Sequence, residues 1–176
     1  EMTTTALAMK ICPKINSAGR IGNPYVALEV LLMRDRAESA SVARLNECNA
    51  LRQELLEKTV AQANEKLSRL NIADSKIIVL HDEGWKHGIL GIAANRFKEL
   101  YKKPVLMLTA DGENLVGSAR GTENVNLYEA FGKCKSTLVR FGGHRSSVGC
   151  TVKREKLGQL VDELEKGIEF SDIDYA

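Results

Sequence analysis

One contrast restricts the fold more than any other feature: the sequence changes its hydrophobic period and its use of glycine partway along. From Pro24 to Leu70 there is no glycine and no further proline. Apolar residues recur there at Leu45, Cys48, Leu51 and Leu55, then at Leu56, Val60, Ala63, Leu67 and Leu70. Steps of three and four are the period of an amphipathic helix, and their persistence predicts one helix of roughly 30 residues. A shorter helix is predicted over Tyr25–Met33, broken near Arg34-Asp35-Arg36. A helix of this kind packs or bridges; nothing on it suggests chemistry.

After the polar turn Ala73-Asp74-Ser75 the pattern becomes that of alternating strands and helices. The run Lys76-Ile77-Ile78-Val79-Leu80-His81 is short, apolar and β-branched, as buried strands are. A glycine-punctuated turn leads into a helix with Ile89, Ile92, Ala93, Arg96, Phe97 and Leu100 on one face, and Pro104–Thr109 reads as the next strand. Strand, helix and strand at this spacing imply a parallel, right-handed crossover. Asp111-Gly112 turns into a strand over Leu115–Ala119. A helix near Leu127–Cys134, a strand around Cys150–Val152 and a last helix over Leu157–Ile168 complete the reading. The expected fold class is α/β: a helical segment over residues 1–73 that includes the long connecting helix, then a small mixed-sheet α/β domain over 74–176.

A chain of 176 residues can bury one good core and carry an appended helical segment. Its net charge of +2 is too mild to announce a nucleic-acid partner by itself. The cations nevertheless cluster locally: Arg96, Arg120, Arg140, Arg145, Lys153 and Arg154 lie in or beside the glycine-bearing segments of the second half. The four cysteines show no CxxC spacing and the opening residues do not read as a signal peptide, so reduced thiols and a cytoplasmic location are expected. No apolar run reaches the roughly 18 residues that span a bilayer. The first residue is Glu1 and the opening already looks helical, which is expected of a piece of a longer protein.

Four segments are candidates for binding. Pro13-Lys14-Ile15-Asn16-Ser17-Ala18-Gly19-Arg20 reads as a compact loop of small residues ending in arginine, or simply a turn between helices. In Gly84-Trp85-Lys86-His87-Gly88 a strand gives way to a helix, whose first amides and dipole favour an anion. Trp85, the only tryptophan, is placed either to stack on a base or sugar or to cap the core. Val116-Gly117-Ser118-Ala119-Arg120-Gly121 ends a strand in a hydroxyl and a two-pronged guanidinium suited to phosphate; the plainer reading is a surface arginine. In Phe141-Gly142-Gly143-His144-Arg145-Ser146-Ser147-Val148-Gly149 the glycines permit close backbone approach, and His144 and Arg145 are expected to begin a short helical turn. Loops at the carboxyl edge of one sheet converge on one crevice, which favours a shared site. A metal-hydrolase centre needs several gathered carboxylates or histidines. With His81, His87 and His144 as its only histidines, no HxH and no DHH, this chain is not expected to supply one. There is no GxSxG elbow either, and Cys150 has no evident base beyond His144.

Taken in order, the blocks PKINSAGRIG, GWKHGILGIAANRF, PVLMLTADGENLVGSAR, NLYEAF and RFGGHRSSVGCTV resemble the C-terminal half of the RecJ family of single-strand-specific exonucleases, within the DHH phosphoesterase superfamily. The resemblance spans about residues 11–155. It implies a preceding DHH domain holding Mn²⁺ or Mg²⁺, with no cofactor bound by the present residues. It also implies a DHH-associated domain that grips single-stranded DNA, with 5′ to 3′ polarity and a place in DNA repair and recombination. His144 and Arg120 would be the main contacts, Gly142, Gly143 and Ser118 would shape the loops, and His144 would be the only contributor to a closed active site. Arg145, Trp85, Lys86, His87, Asn16 and Arg20 complete the expected binding set. Two blocks depart from the family pattern. Lys86 stands where the family usually has histidine, and Gly121-Thr122-Glu123-Asn124 replaces a serine and a proline-bearing turn. Other phosphoesterases of the superfamily, acting on short oligonucleotides or nucleotide bisphosphates, share the glycine-glycine-histidine logic. A non-catalytic nucleic-acid-binding module is the third possibility.

Overall fold

The computed structural model describes residues 3–33 and 40–171; the break expected at Arg34-Asp35-Arg36 lies outside them. The chain forms two compact units, Glu1–Lys58 and Thr59–Ala176, divided within the long helix.

The first unit is helical. Thr3 opens α1 (Thr4–Ala6), its hydroxyl accepting from the Ala6 amide at 3.1 Å, and a wider turn over Leu7–Ile11 leads into α2 (Cys12–Ile21). The PKINSAGR block is therefore helix, not the loop its small residues suggest. Pro13 sits in the first turn, where its missing amide sacrifices no helical bond, and the helix runs on to Gly22. Next come α3 (Tyr25–Leu32) and α4 (Ala40–Leu67), close to the two predicted helices. Ala18, Val26, Ala27 and Leu45 form a small core flanked by Ile15 and Val30. Lys14 donates to Asn46 at 3.0 Å, and Arg44 pairs with Glu29 at 3.1 Å.

In the second unit a five-stranded mixed sheet is ordered β1-β2-β3-β5-β4. It comprises β1 (Ile78–His81), β2 (Val105–Asp111), β3 (Asn114–Arg120), β4 (Leu138–His144) and β5 (Ser147–Lys153). The expected crossover through α5 (His87–Tyr101) makes β1 and β2 parallel; the other pairs are antiparallel. Asp111 and Gly112, the latter at φ +60°, close the β2–β3 turn as predicted. Alternate residues of β2, β3 and β5, including Leu106, Leu108, Leu115, Val148 and Val152, enter one core with Phe131 of α6 (Leu127–Lys133) and with Leu160 and Leu164 of α7 (Leu157–Gly167). On the opposite face α5 packs on β2 and β3, burying Ile89, Leu90, Ala93 and Phe97. That helix leaves Arg140, Gly142, His144 and Gly149 of β4 and β5 exposed. Among the described residues no helix is long and apolar enough to cross a membrane.

The main difference from expectation lies here. Residues 141–149 form no loop and no helical turn: they are the end of β4, a tight turn at Arg145-Ser146 and the start of β5. Two glycines before a polar cluster read locally as a turn. Pairing of β5 with β3 overrides that preference, because it buries Val148, Cys150 and Val152 on one face while Ser147 and Gly149 turn to the other.

Candidate functional site

The open face of β3, β5 and β4 is built in rows fixed by strand register. Arg120, Ser147 and His144 lie side by side across the three strands. Ser118, Gly149 and Gly142 form the next row, and Val116, Thr151 and Arg140 the one after. A groove of about 310 Å³ runs over these strands, lined by Gly117, Arg140, Gly142, Gly149 and Thr151 and reached by His87 from the start of α5. Val116, Phe141 and Cys150 complete its lining, with Arg140 and Thr151 at its wall; Arg120, Ser118, Ser147 and His144 lie in the adjoining rows of the same face, and together these cations and hydroxyls are complementary to a phosphodiester.

The glycines divide into two kinds. A Cβ at Gly142 would meet nothing within 4 Å, and one at Gly149 only backbone oxygens at 3.9 Å. Packing therefore does not require glycine at either place, although glycine weakens a strand; their absent side chains are what opens the groove. Gly143 is different. Its φ of +148° and the overlap a Cβ would make with the Ser147 carbonyl show that the hairpin itself needs glycine.

Arg120 is held firmly. The two hydrogens of its Nη1 are shared among Ser118 Oγ at 2.9 Å, the Ala119 carbonyl at 2.8 Å and Ser147 Oγ at 2.6 Å. Gly91 of α5 makes room for it, since a Cβ there would overlap the guanidinium. The hairpin carrying His144 is tied down from behind: Gly121 donates its amide to the Ser146 carbonyl at 2.9 Å and Leu127 to the Arg145 carbonyl at 2.8 Å. His144 Nδ1 stands 3.2 Å from Ser146 Oγ.

The loop before α5 is clamped as well. The Gly84 amide and then Lys66, 3.0 Å away, hold the Asp82 carboxyl below its usual range, and Arg154 pairs with Glu83. No side chain caps the start of α5, where Lys86 and His87 are exposed.

Of the residues singled out in the sequence, Ser118, Arg120, Gly142, His144 and His87 share this face or its rim. Trp85 does not serve as a stacking surface: it is 4% exposed, its indole N–H donates to Gln62 at 3.0 Å and its carbonyl accepts from Thr109 at 2.8 Å. Of its two readings, the structure selects the core cap. Arg145 also leaves the groove, donating instead to the Glu123 carbonyl at 3.1 Å and lining a separate hollow with Phe170 and Ser171. Asn16 and Arg20 are exposed on α2 of the first unit. Ser147, Gly149, Thr151 and Arg140 join the site through strand register alone, although the small-polar alternation at 147, 149 and 151 marks a strand face in the sequence. Behind the floor, burial pushes the Cys150 thiol up to about 12, so it is a protonated core group and not a nucleophile.

Residues 74–169 match the model of the DHHA1 domain. The single-stranded-DNA-specific exonuclease RecJ of Bacillus subtilis is 29% identical over 169 residues, which is 94% of this chain and 21% of that protein. RecJ of Thermus thermophilus is 36% identical over 148 residues, 81% of this chain and 20% of that protein. The crystal structure of the Thermus RecJ in complex with Mg²⁺ superposes with a TM-score of 0.81 at 31% identity, covering 92% of this chain and 25% of that one. The chain thus spans about a fifth of the length of these two curated relatives.

Proposed function

The chain belongs to the DHHA1 domain family, and from that premise we propose that it is the substrate-holding part of a metal-dependent single-stranded-DNA exonuclease similar to RecJ. Residues 74–176 are the DNA-gripping domain, the long helix connects it to a DHH domain in the longer protein, and hydrolysis proceeds 5′ to 3′ in DNA repair and recombination in the cytoplasm. The observation that carries the reading is the cross-strand register, which supports a phosphate seat between Arg120, Ser118, Ser147 and His144 above the Gly142–Gly149 floor. Arg120 supplies a planar charge already oriented by three hydrogen bonds. His144 approaches from the next strand but one, and the absent side chains let a phosphate reach the sheet.

Structures of the Thermus RecJ hold Mg²⁺ or Mn²⁺. Among the described residues here no three His, Cys, Asp or Glu side chains gather to hold an ion. The described residues by themselves therefore do not fit that group. Their part is to bind and orient the strand.

Fluorescence anisotropy of a labelled single-stranded oligonucleotide across a salt series tests the reading. Affinity should fall as salt rises, as phosphate neutralisation demands, and the double substitution Arg120→Ala, His144→Ala should weaken binding at least ~10-fold. Equal binding by parent and variant, or none by the parent at low salt, would refute it.

A further inference from the structure

Arg140 lines the groove on the same sheet face as His144, four residues away along β4, a separation of about 13 Å at roughly 3.3 Å per residue. Its Nε donates to Thr151 Oγ1 at 3.1 Å, which lays the guanidinium across β4 and β5 at the groove wall. It forms no ion pair with a carboxylate among the described residues, unlike Arg44, Arg69 and Arg154. Its two terminal nitrogens are therefore available to an anion from outside.

The pairing around it is irregular. One extra residue, Val139, interrupts the β4–β5 ladder between Leu138 and Arg140. Counted from Leu138, which packs on the core, unbroken alternation would turn Arg140 inward and Phe141 outward. The bulge changes that parity: Leu138 and Phe141 both meet the core, and Arg140 emerges on the open face beside Thr151. Re-aiming a side chain next to a site is a recurrent use of such bulges. Val139 itself is left 54% exposed.

We propose that Arg140, oriented by the buried Thr151, forms a second phosphate subsite, so that this face engages two phosphates of one strand and favours oligonucleotides over mononucleotides. This rests on the nucleic-acid reading of the groove given above and adds a length requirement to it. The Arg120 row and the Arg140 row lie farther apart than a single phosphate group extends, and the bare Gly142–Gly149 step lets the intervening backbone pass close to the sheet. The two subsites differ in character. Arg120 is held at Nη1 by three acceptors of its own sheet, whereas Arg140 is held at Nε by one.

The test is competition binding on the full chain. A labelled single-stranded dodecathymidylate is displaced by 5′-phosphorylated oligothymidylates of one, two, four and eight nucleotides. For the parent, affinity should step upward between the mononucleotide and the tetranucleotide. Arg140→Ala should flatten that step, lose about tenfold on the dodecamer and lower the log-affinity against log-salt slope by about 0.7, one phosphate contact on a single strand. Mononucleotide binding should not change. Arg140→Lys, which keeps the charge without the planar fork, should preserve the slope while losing part of the affinity. A parent that binds with a length step, beside an Arg140→Ala variant that keeps both step and slope, overturns the second subsite and leaves the phosphate seat at Arg120 standing. A parent that binds no oligonucleotide at low salt overturns the nucleic-acid reading and this inference together.

Discussion

Substituting Gly91 by alanine separates the fold of this domain from its proposed grip. Gly91 lies inside α5, where alanine is favoured over glycine by about 1 kcal/mol. Its added Cβ would overlap the tip of Arg120 and approach Ser118 Oγ to 3.0 Å. Because the obstruction is the end of a flexible side chain, the guanidinium can swing away while the backbone stays in place. Three hydrogen bonds from Nη1 are then exchanged for water. At about 0.5–1.5 kcal/mol net for each bond, that costs roughly 1.5–4.5 kcal/mol. Set against the helical gain, the variant should unfold roughly 0.5–3.5 kcal/mol more easily than the parent. The effect on binding should be larger in proportion: with Arg120 displaced, affinity for single-stranded DNA should drop at least ~10-fold. Urea denaturation followed by circular dichroism gives the first quantity and anisotropy titration the second. Unchanged affinity in a variant of the expected stability would refute the claim that the braced position of Arg120 is the binding position.

Gly142→Ala should alter stability by less than ~1 kcal/mol yet reduce binding, whereas Gly143→Ala, blocked by the Ser147 backbone at φ +148°, should cost at least ~3 kcal/mol or prevent folding; paired denaturation curves distinguish them. Trp85→Phe removes the bond to Gln62 and should cost about 1 kcal/mol in melting experiments while leaving DNA affinity intact. Burial raises Cys134 to about 11 and Cys150 to about 12 from an ordinary 9.0. Between pH 9 and those values the folded chain keeps protons that the unfolded chain has shed, so stability should decline as pH rises through that window; an alkaline series of denaturation midpoints checks the sign. Iodoacetamide at pH 8 should modify exposed Cys12 readily and the buried pair only after unfolding.

The long helix, the β1–α5–β2 crossover and the β2–β3 turn were legible because each is announced locally, by a helical period, a β-branched run or an Asp-Gly pair. The seat around Arg120 was legible in part: its residues carry chemistry that stands out even before their positions are known. The β4–β5 hairpin was not, because it is held as strand by the pairing of β5 with β3, some thirty residues earlier, against the local turn preference of Gly142-Gly143. The helical PKINSAGR block misled for a similar reason, since small residues and proline suit a helix start as well as a loop. Arg140 stood out as one of the clustered cations, but its direction depends on a one-residue interruption of pairing, which no local propensity marks. Trp85 was ambiguous because a large ring between a strand and a helix serves a core or a ligand equally well; only burial decides.

The open floor at Gly142 and Gly149 also bears on how this domain would evolve under selection. Both positions sit in regular strands with room for a side chain, so β-branched replacements there should raise thermal resistance. A laboratory lineage screened for heat tolerance alone would fill the furrow and become more durable as it lost its hold on substrate. Retention of glycine at these two places in a natural lineage would therefore record selection for use over robustness.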